Sequence, residues 1–117
     1  MSIRRVVPDI ECHALDESRA FFTEVLGFQV GMDMGWIVTL VSPDVPAAQI
    51  TLFPEGEGTS LNPDITVEVD DVDSAHDVVV RSGHEVVYEL TDEDWGVRRF
   101  FVKEPSGVIV NVMTHVA

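Results

Sequence analysis

The sequence predicts an α+β domain built from two tandem βαβββ modules. A strand–helix–strand pattern in the first half of the chain recurs in the same order in the second half. Each half has one amphipathic helix among several short β-rich runs, so the helix can cover only one face of its sheet. We therefore expect a curved, partly closed mixed sheet around a cleft, with the helices outside.

The first module is predicted to occupy residues 1–54. It opens with a β-rich, partly alternating run, and a helix then begins with Asp16 as its N-cap. Phe21 and Phe22 each have an apolar partner four residues later, and Gly27 suits the left-handed residue that ends a helix. The pattern thus predicts a helix at 16–26 and strands at 3–12, 28–33, 36–41 and 49–53.

A segment rich in Gly and Pro, residues 55–63, predicts a linker before the second module, residues 64–117. Val72-Asp73 repeats the helix start Leu15-Asp16, and Gly83 repeats Gly27. The repeat predicts a helix at 73–82 and strands at 64–70, 85–90, 98–103 and 108–114.

The composition is that of one compact domain. The 117 residues are 45 % hydrophobic and 24 % charged, and none of the apolar runs reaches the length of a membrane helix. Cys12 is the one cysteine and lies in an apolar run, which predicts a small buried side chain rather than a disulfide. No signal peptide is recognisable at residue 1, so the sequence favours a cytoplasmic location.

The charge is strongly negative. Twenty-one acidic residues against seven basic ones give a net charge of −14, and residues 20–80 contain no Lys or Arg. Such a surface repels nucleic acid and anionic lipid, so neither is an expected partner. The charge is explained either by solubility or by an acidic cleft that takes a cationic ligand.

Three segments carry a recognisable pattern: Ser18–Phe28 (SRAFFTEVLGF), Val69–Ala75 (VDDVDSA) and Trp95–Gly107 (WGVRRFFVKEPSG). In this order and spacing they resemble the vicinal oxygen chelate superfamily, the glyoxalase, bleomycin resistance and dioxygenase group. The resemblance implies paired βαβββ modules, often in a homodimer. Because one scaffold hosts many chemistries, it implies the fold more strongly than the function.

The resemblance also implies where a metal would bind in the metal-dependent members. One ligand lies on the first and fourth strand of each module, positions that correspond here to Val7, Thr51, Asp64 and Asn111. Only Asp64 is a good anionic donor, and none of the four histidines falls on these positions. We therefore expect no metal ion and no other cofactor.

The remaining candidates are carboxylates and aromatic rings. Asp64 and Glu68 could act as general acid or base, since carboxylates crowded together raise one another's pKa. Trp95 lies in a polar loop after three acids and could stack on an aromatic or cationic compound. Core packing is the favoured role of Trp36, and pairing with a nearby loop aspartate that of Arg98. The candidate ligand-binding residues are Trp95, Trp36, Phe53, Thr51, Asp64, Glu68, Arg98, Asn111 and Met113.

Two functions follow from these observations. The first is metal-independent binding of a small molecule, aromatic or cationic, in the manner of drug or metabolite sequestration. The second is a lyase, isomerase or dioxygenase of the same superfamily, metal-dependent or acid–base. Either function is expected in a homodimer, because exposed sheet edges invite pairing with a second chain.

Overall fold

The computed structural model describes residues 1–56 and 62–116. Within this part of the chain the α+β class and the two βαβββ modules are confirmed. No helix there combines the length and hydropathy that crossing a bilayer requires. The strands are β1 (Ile3–Cys12), β2 (Gln29–Asp33), β3 (Val38–Val41), β4 (Gln49–Pro54), β5 (Ile65–Val69), β6 (Glu85–Glu93), β7 (Val97–Lys103) and β8 (Ile109–His115), and the helices are α1 (Leu15–Ala20), continued by a π-helical turn over Phe21–Val25, and α2 (Val72–Arg81).

The chain divides into two compact units, and the division falls inside β1. One unit is Val7–Asn62, and the other combines Met1–Val6 with Pro63–Ala117. The sequence assigned residues 1–6 to the first module, whereas the structure groups them with the second. The contact is direct, because the Ser2 amide donates to Asp70 Oδ1 at 2.7 Å and the Asp70 amide donates to the Ser2 carbonyl at 3.0 Å.

In the first unit the strand order is β2-β3-β4-β1, with β1 parallel to β4 and the other neighbours antiparallel. Strand alternation directs Cys12, Val38, Leu40 and Leu52 to one face, where they form a buried core. Leu15 and Phe22 pack against that core from the helical segment. The predicted burial of Cys12 is confirmed, with 7 % of the residue exposed.

In the second unit the order is β5-β8-β7-β6, and β5 is parallel to β8. Asp71 caps α2, accepting a hydrogen bond from the Ser74 amide at 3.1 Å, which satisfies a donor that the first helical turn leaves free. The core on the helix side of this sheet consists of Val69, Val72, Ala75, Phe100, Val102 and Val112.

The first helix and Trp36 differ from the sequence predictions. The helix begins one residue earlier, at Leu15, so Ala14 occupies the N-cap without a side-chain bond and the predicted Asp16 cap is wrong. Trp36 lies in a turn before β3 and is 51 % exposed, so its predicted core role is also wrong. Trp36 would be buried if it began a strand covered on both faces, but β3 begins two residues after it, at Val38. Residues 57–61 of the predicted linker lie outside the described residues.

Candidate functional site

The second module has one sheet face that α2 does not cover, here called the helix-free face. Phe100 and Val112 point toward α2, so their sequence neighbours on β7 and β8 point to the opposite side. Phe101 and Asn111 pair across these strands, as do Arg99 and Met113. The helix-free face carries Thr66, Glu68, Arg99, Phe101, Asn111, Met113 and His115.

Asn111 is a buried polar residue on the helix-free face with one half of its amide unused. It pairs with Thr66 across β5 and β8, and its Nδ2 donates to Thr66 Oγ1 at 3.1 Å. The residue is 7 % exposed, and its Oδ1 has no hydrogen-bond partner among the described residues. A buried acceptor without a donor costs about 1–3 kcal/mol.

Glu68 lies on the same face and contacts Arg5 and His115. Arg5 Nε is 2.7 Å from one carboxylate oxygen, and His115 Nδ1 is 3.2 Å from the other. Burial alone raises the pKa of Glu68, but the hydrogen bond from His115 and the charge of Arg5 outweigh it and hold that pKa below its ordinary value. The sequence predicted a raised pKa through crowded carboxylates, and this is wrong because Glu68 faces Arg5 and His115 rather than other acids.

Arg99 is held by three aromatic rings and one carboxylate. Its guanidinium carbon lies 4.9 Å from the ring centre of Phe101, 5.1 Å from that of Trp95 and 5.3 Å from that of Tyr88. Its Nε donates to Glu93 Oε2 at 2.6 Å, and the Tyr88 hydroxyl donates to the same oxygen at 2.8 Å. The Glu93 side chain is only 11 % exposed, so this ion pair is largely shielded from water.

The structure brings several predicted residues of the second module together. Glu68, Asn111 and Met113 share the helix-free face, and Trp95 reaches it through Arg99. Trp95 lies in the turn between β6 and β7, as predicted, and is 51 % exposed.

Asp64 and Arg98 lie elsewhere in the same module. Asp64 is exposed just before β5, and its Oδ2 accepts from the Ile109 amide at 2.9 Å. Arg98 lies on the α2 side of β7, where it bridges Asp73 at 2.9 Å and Asp92 at 3.1 Å. The hydrogen bonds to Asp73 and then Asp92 raise the pKa of Arg98. Its predicted pairing with a nearby aspartate is confirmed, although Asp92 lies on β6 rather than in a loop, and the two ion pairs connect β6 with α2.

The other predicted residues belong to the first module. Thr51 and Phe53 are buried on β4, on the face opposite Leu52, and Thr51 pairs in register with Asp9. Val7 is 3 % exposed and Trp36 is half exposed in its turn.

Sequence reasoning missed Arg99, Tyr88 and Glu93. A signal was present, because alternation along β7 separates two adjacent arginines to opposite faces. Arg98 shares the face of Phe100, so Arg99 must share the face of Phe101. The bulged register between β6 and β7, which shifts at Tyr88, could not be read from the sequence.

The residues at the four implied ligand positions do not fit a transition-metal site. Val7 has no donor atom, Thr51 carries only a hydroxyl, and Asn111 offers a neutral oxygen. The carboxylate of Asp64 is bonded to the backbone of β8. Elsewhere in residues 1–56 and 62–116, no three His, Cys, Asp or Glu side chains converge on a common point.

Comparison with known proteins agrees with this architecture. The family model of the Glyoxalase/Bleomycin resistance protein/Dioxygenase superfamily matches residues 7–112. A search of curated proteins finds no match.

Solved structures share the fold at low sequence identity. A superfamily member from Vibrio splendidus is 23 % identical, with 97 % of this chain and 99 % of that one covered and a TM-score of 0.72. A methylmalonyl-CoA epimerase variant from Streptomyces coelicolor, in complex with 2-nitronate-propionyl-CoA, is 22 % identical, with 99 % and 100 % covered and a TM-score of 0.71. A hypothetical protein from Bacillus halodurans is 14 % identical, with 100 % and 97 % covered and a TM-score of 0.77.

Proposed function

The chain belongs to the Glyoxalase/Bleomycin resistance protein/Dioxygenase superfamily, and from that premise we propose that it binds a small aromatic molecule on the helix-free face of its second module without a metal ion. The protein would bind and sequester this molecule without a chemical step. The proposal differs from the sequence hypothesis in one respect, because two acids of this site, Glu68 and Glu93, are already paired with Arg5 and Arg99.

The observation that carries the proposal is the half-satisfied amide of Asn111. A buried side chain that keeps an unused acceptor destabilises the free protein. A ligand N–H or O–H that bonds to Asn111 Oδ1 removes that cost, so the position favours a complex over the free protein. Polar groups of this kind orient a ligand that apolar side chains such as Phe101 and Met113 hold by contact.

Metal independence is supported by the donor set rather than by any empty site. A zinc or iron site needs imidazole, thiolate or carboxylate ligands around one point. The family positions here supply one aliphatic side chain, one hydroxyl, one amide and one engaged carboxylate. A metal ion would have to displace existing hydrogen bonds to gain weak neutral ligands.

Acid–base catalysis by Glu68 has less support. Its lowered pKa leaves the carboxyl ionised near neutral pH, so it has no proton to donate, and a carboxylate paired with Arg5 is a weakened base. A lyase or isomerase that used Glu68 would need the opposite shift, as general acids and bases are tuned toward the working pH.

The binding test uses a neutral aromatic probe, 3-(4-fluorophenyl)propanamide, whose amide can donate to Asn111. We expect broadening of its fluorine NMR signal with wild-type protein and about tenfold weaker binding to Asn111→Leu, the loss typical of one buried hydrogen bond. Thr114→Val is the matched control, because Thr114 lies on the same strand but on the α2 side, opposite Arg98. The proposal fails if the probe does not bind, or if both variants bind it as wild type does.

A further inference from the structure

Arg99 offers more hydrogen-bond donors than the chain uses. Within residues 1–56 and 62–116, its Nε is bonded to Glu93, and neither terminal nitrogen of the guanidinium has a hydrogen-bond partner. The Arg99 side chain is 22 % exposed, so it is partly accessible from outside the core.

Three aromatic rings restrict the orientation of the Arg99 guanidinium. The guanidinium carbon lies within 5.3 Å of the rings of Phe101, Trp95 and Tyr88. Together with the 2.6 Å bond to Glu93, these contacts limit the rotamers that the long side chain can adopt. A guanidinium that is already oriented loses little entropy when it forms two parallel bonds, which is the geometry that a carboxylate accepts.

The position of Arg99 relates it to Asn111. Arg99 pairs in register with Met113, and Phe101, two residues later on β7, pairs with Asn111. Arg99 and Asn111 are therefore diagonal neighbours on one sheet face, a spacing of roughly 7–8 Å between such positions. One side of the diagonal offers donors with positive charge, and the other offers a buried acceptor.

From this arrangement we infer that the ligand carries a carboxylate, which the terminal nitrogens of Arg99 bind while Asn111 Oδ1 accepts a bond from a neutral donor of the same molecule. The inference rests on the proposed function and names the chemical class of its ligand. It replaces the cationic ligand considered from the net charge of −14, because the hydrogen-bond donors still available on this face belong to Arg99. The acids Glu68 and Glu93 each already have a basic partner.

The test compares three probes that share the acetamide N–H of N-acetyl-4-fluorophenylalanine, which can donate to Asn111, and differ only at the other end: the free carboxylate, its primary amide and the corresponding primary amine. Dissociation constants from fluorine NMR are measured for wild type, Arg99→Lys and Arg98→Lys. Lysine keeps the positive charge beside Glu93 but lacks the planar pair of donors. Arg98→Lys is the matched control, since Arg98 is the adjacent residue on the opposite face.

We expect wild type to bind the carboxylate about tenfold more tightly than the amide and the amine least, as charge-assisted paired bonds are stronger than neutral ones. Arg99→Lys should weaken carboxylate binding by about the same factor and leave amide binding within about twofold. Arg98→Lys should change neither constant.

Three results overturn the inference while the proposed function stands: equal binding of carboxylate and amide, tighter binding of the amine, or equal losses for carboxylate and amide in Arg99→Lys. Equal losses would assign Arg99 a purely structural role. If wild type binds none of the three probes, the proposed function itself fails.

Discussion

Replacing Asn111 with leucine should stabilise the free protein although it removes a hydrogen bond. Leucine has the same branched heavy-atom skeleton, so it can occupy the site of the amide. The lost bond from Nδ2 to Thr66 Oγ1 is worth about 0.5–1.5 kcal/mol, while the unpaired Oδ1 costs about 1–3 kcal/mol in the native state. The difference predicts a gain of about 1 kcal/mol in the free energy of unfolding.

This gain can be measured in two ways. With an unfolding entropy of about 2.1 cal/mol/K per residue, 1 kcal/mol raises the thermal midpoint by about 4 °C in a chain of this size. Urea unfolding should give a higher midpoint with an unchanged slope, which shows that the native state and not the denatured ensemble has changed. Asn111→Ala provides the comparison, because it removes the same bond but leaves a void and should destabilise.

A loss of 1 kcal/mol or more in Asn111→Leu, with an unchanged urea slope, would refute the reasoning. It would mean that Oδ1 is satisfied in the free protein and that Asn111 is a structural residue. Asn111 would then no longer support a ligand site on the helix-free face.

Four further outcomes are expected. The folded-state pKa of Glu68 lies below its ordinary 4.5, so the stability that this carboxylate contributes is present above pH 4.5 and is lost as the pH falls through the folded pKa. When the midpoint of urea unfolding is plotted against pH, Glu68→Gln should therefore lose less stability at acid pH than wild type. The same pH dependence in both proteins would contradict the shift. Elemental analysis of purified, dialysed protein should find well below one equivalent of Zn, Ni, Fe or Mn, and a stoichiometric metal would favour the enzyme hypothesis. Trp36→Ala should change the free energy of unfolding by less than about 0.5 kcal/mol, and a large loss measured by calorimetry would restore the core role of Trp36. Trp95→Ala should lower the free energy of unfolding by about 0.5–1 kcal/mol, because Trp95 contacts the guanidinium of Arg99. Finally, all residues of the edge strand β2 are exposed, and Met32 among them is 44 % exposed. Because an exposed edge strand can pair with a second chain, we expect light scattering to find a homodimer that Met32→Glu dissociates. A wild-type species of 12.9 kDa at micromolar concentration would rule this out.

The fold was predictable because its signals are local and repeated. Hydrophobic spacing marked both helices, and glycines with positive φ at Gly27 and Gly83 end the two helical segments. The first helix was harder, since Thr23 Oγ1 bonds back to the Arg19 carbonyl at 2.9 Å and a π-helical turn follows α1. Such a change of hydrogen-bond pattern leaves the apolar spacing almost unaltered.

The candidate site was only partly predictable, because its charges are set by contacts across the sheet. The sequence shows Glu68 among many acids but not its pairing with Arg5, which lies far away in the chain. It likewise shows Trp95 after three acids but not the guanidinium that covers one side of its ring. Net charge is a sum over the whole surface, whereas binding depends on the few groups that face the ligand.

The division of β1 between two compact units affects how the protein is made. Residues 1–6 are synthesised long before their partners, and the Ser2–Asp70 bond spans 68 positions. Until that stretch of β5 has left the ribosome, the amino-terminal half of β1 has no partner strand of its own unit and exposes unsatisfied backbone groups. Cutting the chain at the linker would therefore separate residues 1–6 from the compact unit to which they belong, so the repeat visible in the sequence and the compact unit do not coincide.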